Sequence, residues 1–109
     1  MPAYAERALD ALGDPTRRAV FNRLRAGARS VNDIAKGLDV TRPAVSQHLR
    51  VLREARLVVA RAEGTRRLYA VDKRGLAEIR GWLDGFWDDA LTAFKRAAEQ
   101  AAIEERKRR

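Results

Sequence analysis

Residues 41–58, "TRPAVSQHLRVLREARLV", hold four arginines, one histidine and a ladder of branched aliphatics. On a helical wheel Val45, Leu49 and Leu52 fall at the i, i+4 and i+7 positions and form an inward face. Arg42, Ser46, Arg50 and Arg53 fall on the other side, with Gln47 beside them. That outward face carries guanidinium, hydroxyl and amide groups and no carboxylate before Glu54. Such groups pair with base edges and phosphates in a DNA major groove, Arg with guanine and Gln with adenine. A plain solvated face is the competing reading. The neighbouring stretches decide between the two.

Upstream, "SVNDIAKGLDV" at residues 30–40 reads as a helix of about two turns. Ser30 and Asp33 stand in a capping arrangement, with Asp where Glu is usual. Val31, Ile34, Ala35 and Leu38 give its apolar side. A tight connection at 38–40 leads to Thr41, a capping residue, and Pro43 lies within the first turn, where proline is tolerated. Downstream, in "LVVARAEGTRRLYAVD" at residues 57–72, β-branched and aromatic residues flank Glu63-Gly64-Thr65, which predicts a β-hairpin. A short helix, a tight turn and a second helix with a carboxylate-free polar face form a helix-turn-helix arrangement. Between residues 40 and 75 nine basic residues face three acidic ones, so this third of the chain carries +6 of its formal net charge of +8. The positive charge sits where a DNA-facing surface would be.

Further out, residues 3–12 show helical spacing, with Tyr4, Ala8, Leu9 and Leu12 on one side. Gly13 interrupts it. Asp14 and Pro15 then give a strong helix start, a cap followed by proline at the first helical position. This second helix is expected to run to Gly27, burying Ala19, Val20, Phe21 and Leu24, with Arg17, Arg18, Arg23 and Arg25 around them. The last predicted helix covers about residues 75–105, where Leu76, Ile79, Leu83, Phe86, Ala90, Phe94, Ala97 and Ala101 recur at three- and four-residue steps. The closing "EERKRR" has no apolar partner and is expected to fray as a solubilising tail.

The 109 residues suit one domain, 1–109, mainly α with a small β-hairpin in the order α-α-α-α-β-β-α. The helix-turn-helix falls at about 31–55, the hairpin at about 57–72 and the C-terminal helix at about 75–105. A pI near 11.0 favours a polyanionic partner. The chain has no cysteine, which excludes disulfides and thiolate metal sites. Glu6 and Asp10 interrupt the first apolar pattern, so it is not a signal peptide. No apolar run approaches the roughly 18 residues that span a bilayer, and a cytoplasmic protein without membrane partners is expected. One histidine, no cysteine and no phosphate-cradling glycine loop argue against an enzyme. His48 reads as a part-buried packing residue or a single phosphate contact. Asp84, Asp88 and Asp89 read as a solvated face.

With these motifs in place the chain resembles the ArsR-type winged helix-turn-helix transcriptional repressors, over nearly its whole length. "ALDALGDPTRRAVFNRLRAG" looks like the opening helices of that family, "SVNDIAKGLDVTRPAVSQHLRVLREARLV" like its helix-turn-helix and "RAEGTRRLYAVD" like its wing. The resemblance implies a homodimer on a palindromic double-stranded DNA operator, blocking transcription, often of its own operon. It places base and phosphate contacts at Arg42, Pro43, Ser46 and Gln47, phosphate support at Thr41 and Arg50, and minor-groove approach at Arg66 and Arg67. Many members sense metals through Cys-x-Cys before the recognition helix or through His and Asp on the last helix. Here the first region reads "VNDIAK" and the last helix has no histidine. Carboxylates alone do not suit zinc or arsenic, so the metal-independent branch is expected, with no metal, no cofactor and an unknown effector, if any.

Trp82, Phe86, Trp87, Leu91 and Phe94 give the last helix more apolar surface than one winged helix can cover. A dimer interface with Tyr4, Leu9 and Leu12 of the first helix accounts for the excess. Two other readings stand beside the repressor. One is an effector-responsive repressor with a small-molecule site in the aromatic dimer cleft; the other is a winged-helix module whose basic face meets an acidic protein.

Overall fold

The computed structural model describes all residues, Met1–Arg109, as two compact units, Met1–Ile79 and Arg80–Arg109. Five helices and one hairpin follow in the order α1 (Ala3–Gly13), α2 (Pro15–Asn22), α3 (Val31–Lys36), α4 (Arg42–Glu54), β1 (Val58–Glu63), β2 (Arg66–Val71) and α5 (Lys73–Arg108). This is a winged helix-turn-helix, mainly α, with one two-stranded antiparallel sheet.

Three of the first four helices start on a side-chain cap, as their sequences demand. Asp14 accepts from the Arg17 backbone N–H at 3.0 Å, Ser30 from Asp33 N at 3.2 Å and Thr41 from Ala44 N at 3.3 Å. Each satisfies one of the donors that a helix start leaves free. Helix α2 ends at Asn22, short of Gly27. Single-turn bonds from Leu24 N to Phe21 O and from Gly27 N to Leu24 O carry the chain onward. Leu24, four residues after buried Val20, stays on the core side through this tighter turn.

The arginines of "DPTRR" have a role that periodicity did not reveal. Arg17 Nη1 donates to Ala11 O at 3.2 Å, and Arg18 Nε donates to Leu12 O at 2.8 Å. They satisfy carbonyls that the end of α1 leaves unpaired, and their charge suits the negative end of its dipole. In α1 itself Ala5, Ala8 and Ala11 are buried, whereas Leu9 is 40% exposed. The small side is the one that packs on the rest of the unit.

The core of Met1–Ile79 gathers Ala8, Val20, Leu24, Ile34, Val45, Leu49, Leu52, Leu57 and Ile79. Val45, Leu49 and Leu52 are fully buried, as the α4 wheel requires. Helix α4 ends in a turn that closes with Leu57 N bonding Leu52 O at 2.9 Å, with Arg56 at a left-handed φ of 61°. This six-to-one closure satisfies a terminal carbonyl and returns Leu57 to the core. The Arg56 carbonyl lies against Gly75 so closely that any Cβ there would collide with it.

The hairpin pairs Val58 with Val71 through to Glu63 with Arg66, around a Gly64-Thr65 turn in which Gly64 has φ of 62°. Arg29 adds a bridge that the sequence did not announce: its N and O exchange bonds with Tyr69 at 2.9 and 2.8 Å. Helix α5 continues to Arg108, so the basic tail is helical rather than frayed, aided by an Arg109–Glu105 contact at 3.4 Å.

Candidate nucleic-acid interface

The front of α4 presents Thr41, Arg42, Pro43, Ser46, Gln47 and Arg50, all exposed, on the side away from Val45, Leu49 and Leu52. Three buried residues fix the rotation of the helix about its axis, and the polar tips are fixed with it. Arg50 Nε makes an ion pair with Glu54 at 3.4 Å along the same helix. Both groups are open to water, so the pair is weak and can yield to a phosphate. Arg42 Nη1 donates to Asn32 Oδ1 of α3 at 3.3 Å. His48 is half-buried, and its Nδ1 is shielded without a hydrogen-bond partner.

The two wing arginines do not share a face. Side chains alternate along a strand, so Arg66 falls on the side of buried Leu68 and Arg67 on the side of Tyr69. Arg66 Nη2 reaches Asp33 Oδ2 of α3 at 3.1 Å. The Arg67 guanidinium stands 5.7 Å from the centre of the Tyr69 ring, a cation–π placement. At the base of the hairpin tip Arg61 pairs with Glu63 at 3.7 Å.

Sequence reasoning gives Asp33 a capping part only and passes over Asn32. Both lie in the first turn of α3, and each engages an arginine from a different element. The only signal was the Asp in the place of the usual capping Glu: a carboxylate too short to return to the Ser30 backbone is free to point elsewhere. Among titratable groups Asp14 is held below the ordinary carboxylate range, chiefly because it accepts the Arg17 backbone N–H.

The residues expected at a dimer interface are placed as follows. In Met1–Ile79, Leu9 is exposed and Tyr4 and Leu12 are half-buried. In Arg80–Arg109, Phe86, Trp87 and Phe94 are 69%, 64% and 73% exposed, Leu91 is exposed, and Trp82 is half-buried with its ring centre 6.5 Å from that of Phe86. Asp84 contacts Arg80 at 3.9 Å, and Asp88 and Asp89 are exposed. No helix is long and apolar enough to cross a membrane.

Comparison with known proteins gives this arrangement relatives. A family described as "Helix-turn-helix domain" matches residues 12–61. The HTH-type transcriptional regulator Rv2034 of Mycobacterium tuberculosis is 54% identical over 89 residues, covering 82% of this chain and 83% of that protein. Transcriptional repressor SdpR of Bacillus subtilis is 29% identical over 76 residues, 70% of this chain and 84% of its own. Among solved structures, the homodimeric winged helix-turn-helix DNA-binding domain of Mb0332 from Mycobacterium bovis, described as "a possible ArsR-family transcriptional regulator", is 28% identical. It superposes with a TM-score of 0.64 over 81% of this chain and 82% of that one.

Proposed function

The chain belongs to the ArsR-type winged helix-turn-helix transcriptional regulators, and from that premise we propose that it acts as a homodimeric repressor on an inverted-repeat operator, without metal sensing. It is a DNA-binding transcriptional regulator, as its relatives are named, and not an enzyme. The observation that carries the reading is the α4 face. Arg42, Ser46 and Gln47 project together from a helix whose opposite side is locked by Val45, Leu49 and Leu52. Arg42, Pro43, Ser46 and Gln47 read the major groove, while Thr41 and Arg50 engage phosphates. Arg66 and Arg67 approach the flanking groove from the two faces of the wing.

Three facts favour the dimeric repressor. Mb0332 is solved as a homodimer and SdpR is named a repressor. The apolar residues Phe86, Trp87, Leu91 and Phe94 stand exposed, as does Leu9. A second copy would cover such apolar residues in a self-complementary interface. The absence of cysteine and the single histidine leave too few soft donors for a zinc or arsenic sensor. The protein works in the cytoplasm, where its DNA is.

Selection of bound sequences from a random duplex pool tests the reading. The expected product is an imperfect inverted repeat with half-sites about one helical turn, roughly 34 Å, apart. On that operator, a dimer neutralising about eight phosphates gives a log–log salt slope near −7. No enrichment at low salt, or a slope shallower than about −2, overturns it.

A further inference from the structure

We propose that the first turn of α3 is the positioning element of the DNA-binding face: Asp33, seconded by Asn32, sets Arg66 in place for the flanking groove and Arg42 for the major groove before DNA arrives. The inference rests on the reading of the α4 and wing surface as DNA-binding, and it assigns work to two residues outside that surface. Arg42 and Arg66 lie 24 positions apart in the sequence and on different elements. Yet their guanidinium groups are tethered to adjacent residues, Arg42 to Asn32 Oδ1 at 3.3 Å and Arg66 to Asp33 Oδ2 at 3.1 Å.

Asp33 is unusually well fixed for a residue near a surface. Its N–H bonds Ser30 Oγ at 3.2 Å and its carbonyl accepts from Arg23 Nη2 at 3.1 Å. Its carboxylate takes Arg66. Gly37 keeps the space that the Arg23 guanidinium occupies, since a Cβ there would collide with it. The backbone that presents the carboxylate is therefore anchored from Arg23 at the end of α2, from the cap and from its own helix. Arg66, by contrast, heads a strand beside a two-residue turn and has four freely rotating torsions. Holding it at one end removes rotamer freedom that DNA binding would otherwise have to remove.

Only one guanidinium nitrogen is engaged. A guanidinium has five N–H donors in a planar fork, so those on the other nitrogens stay available for acceptors in the groove. Asp33 buttresses Arg66 from behind rather than occupying it. The arrangement makes a prediction opposite in sign to simple charge counting. Removing a carboxylate from a face that meets a polyanion should tighten every DNA complex. If the carboxylate positions a reader, its removal weakens binding to the operator while leaving or strengthening binding to random duplex.

The test measures affinities of the full chain for the selected operator and for a random duplex, and takes their ratio. Asp33→Ala is expected to lower the ratio about three- to five-fold, the range for an exposed ion pair whose loss also frees a side chain. Asp33→Asn, which keeps an acceptor oxygen, recovers most of it. In an Arg66→Ala background Asp33→Ala moves the ratio no further. Should Asp33→Ala fail to fold by circular dichroism, Arg66→Lys carries the test, since it keeps the charge and loses the fork; it must lower the ratio in the same way. Equal tightening on both DNAs in Asp33→Ala, an undiminished effect of Asp33 without Arg66, or an unchanged ratio in Arg66→Lys overturns the proposal. A wild-type chain that binds no duplex removes the DNA reading itself and this inference with it, whereas a wild-type chain that selects its operator but is indifferent to Asp33 removes the inference alone.

Discussion

Helix α4 and the part of α5 beyond Ile79 are both amphipathic helices in the same chain, yet they treat their apolar residues in opposite ways. In α4 Val45, Leu49 and Leu52 are fully buried and the exposed front is guanidinium, hydroxyl and amide. In Arg80–Arg109 the large apolar residues Leu83, Phe86, Trp87, Leu91 and Phe94 are themselves exposed. A helix that has spent its hydrophobic face inside its own domain has only polar chemistry left to offer, and the partner it suits is polar. A helix whose hydrophobic face is unspent needs another apolar surface before the chain is complete. On the proposed reading, the first region meets DNA and the second meets a second copy of the chain.

The strongest way to break this contrast is to place a charge in the unspent face. Phe86→Asp would bury a carboxylate twice in a symmetric interface, once per copy. Losing the burial of two aromatic rings alone costs about 4 kcal/mol, at about 2 kcal/mol each. That corresponds to roughly a thousand-fold weaker dimer. Sedimentation equilibrium should show a monomer at concentrations where the wild type is dimeric, and operator affinity should fall with it while helical circular dichroism is kept. A dimeric Phe86→Asp protein with undiminished operator binding would mean that this face serves something else.

The proposed DNA-facing surface is sharpened by a pair of smaller effects, one on α4 and one on the wing. On the proposed reading Gln47→Ala removes an amide that meets a base edge, and should cost about 1–3 kcal/mol on the operator with little change on random duplex. Arg67→Ala removes a charge from the face of the wing that carries Tyr69, and should weaken both DNAs evenly and flatten the salt slope by about one. Equal losses on operator and random DNA for both variants would dissolve the distinction between reading and anchoring.

How far the sequence foretold this differs from element to element, for physical reasons. Element order and type were legible because each rests on local rules. Proline after Asp14, the cap at Thr41 and the Gly64 turn act within four residues. The α4 wheel was legible for the same reason, and it placed Val45, Leu49 and Leu52 on the buried side. What escaped were contacts between elements. Nothing in the spacing of Arg17 and Arg18 says that they cap α1, and nothing in "GTRR" says that Arg66 leans on Asp33 while Arg67 covers Tyr69. Gly27 is a stop signal and predicts the end of α2 there, but beyond Asn22 the backbone bonds shorten to three-residue spacing and the α-helix ends sooner. Long side chains find partners that tertiary packing brings near, and periodicity carries no record of them.

The smallest expected effect bears on the scaffold that presents the α4 face. Its helices α2, α3 and α4 start on Asp14, Ser30 and Thr41, and of these caps only Asp14 titrates. Its folded pKa is depressed, mainly by the Arg17 backbone N–H. A group with a depressed folded pKa contributes stability above its unfolded pKa and loses that contribution as pH falls through the folded value. The contribution is therefore complete at neutral pH and fades below about pH 4, the unfolded value for an aspartate. Thermal melts of wild type and Asp14→Ala should differ by a few degrees near pH 7 and converge as the pH is lowered past 4, whereas the gap between wild type and Thr41→Ala should not close in the same window, because a hydroxyl cap has no proton to take up. A gap for Asp14→Ala that stays constant down to pH 3 would show that the carboxylate stabilises α2 through something other than its charged form, and the scaffold under the DNA-reading helix would then owe nothing to that ionisation.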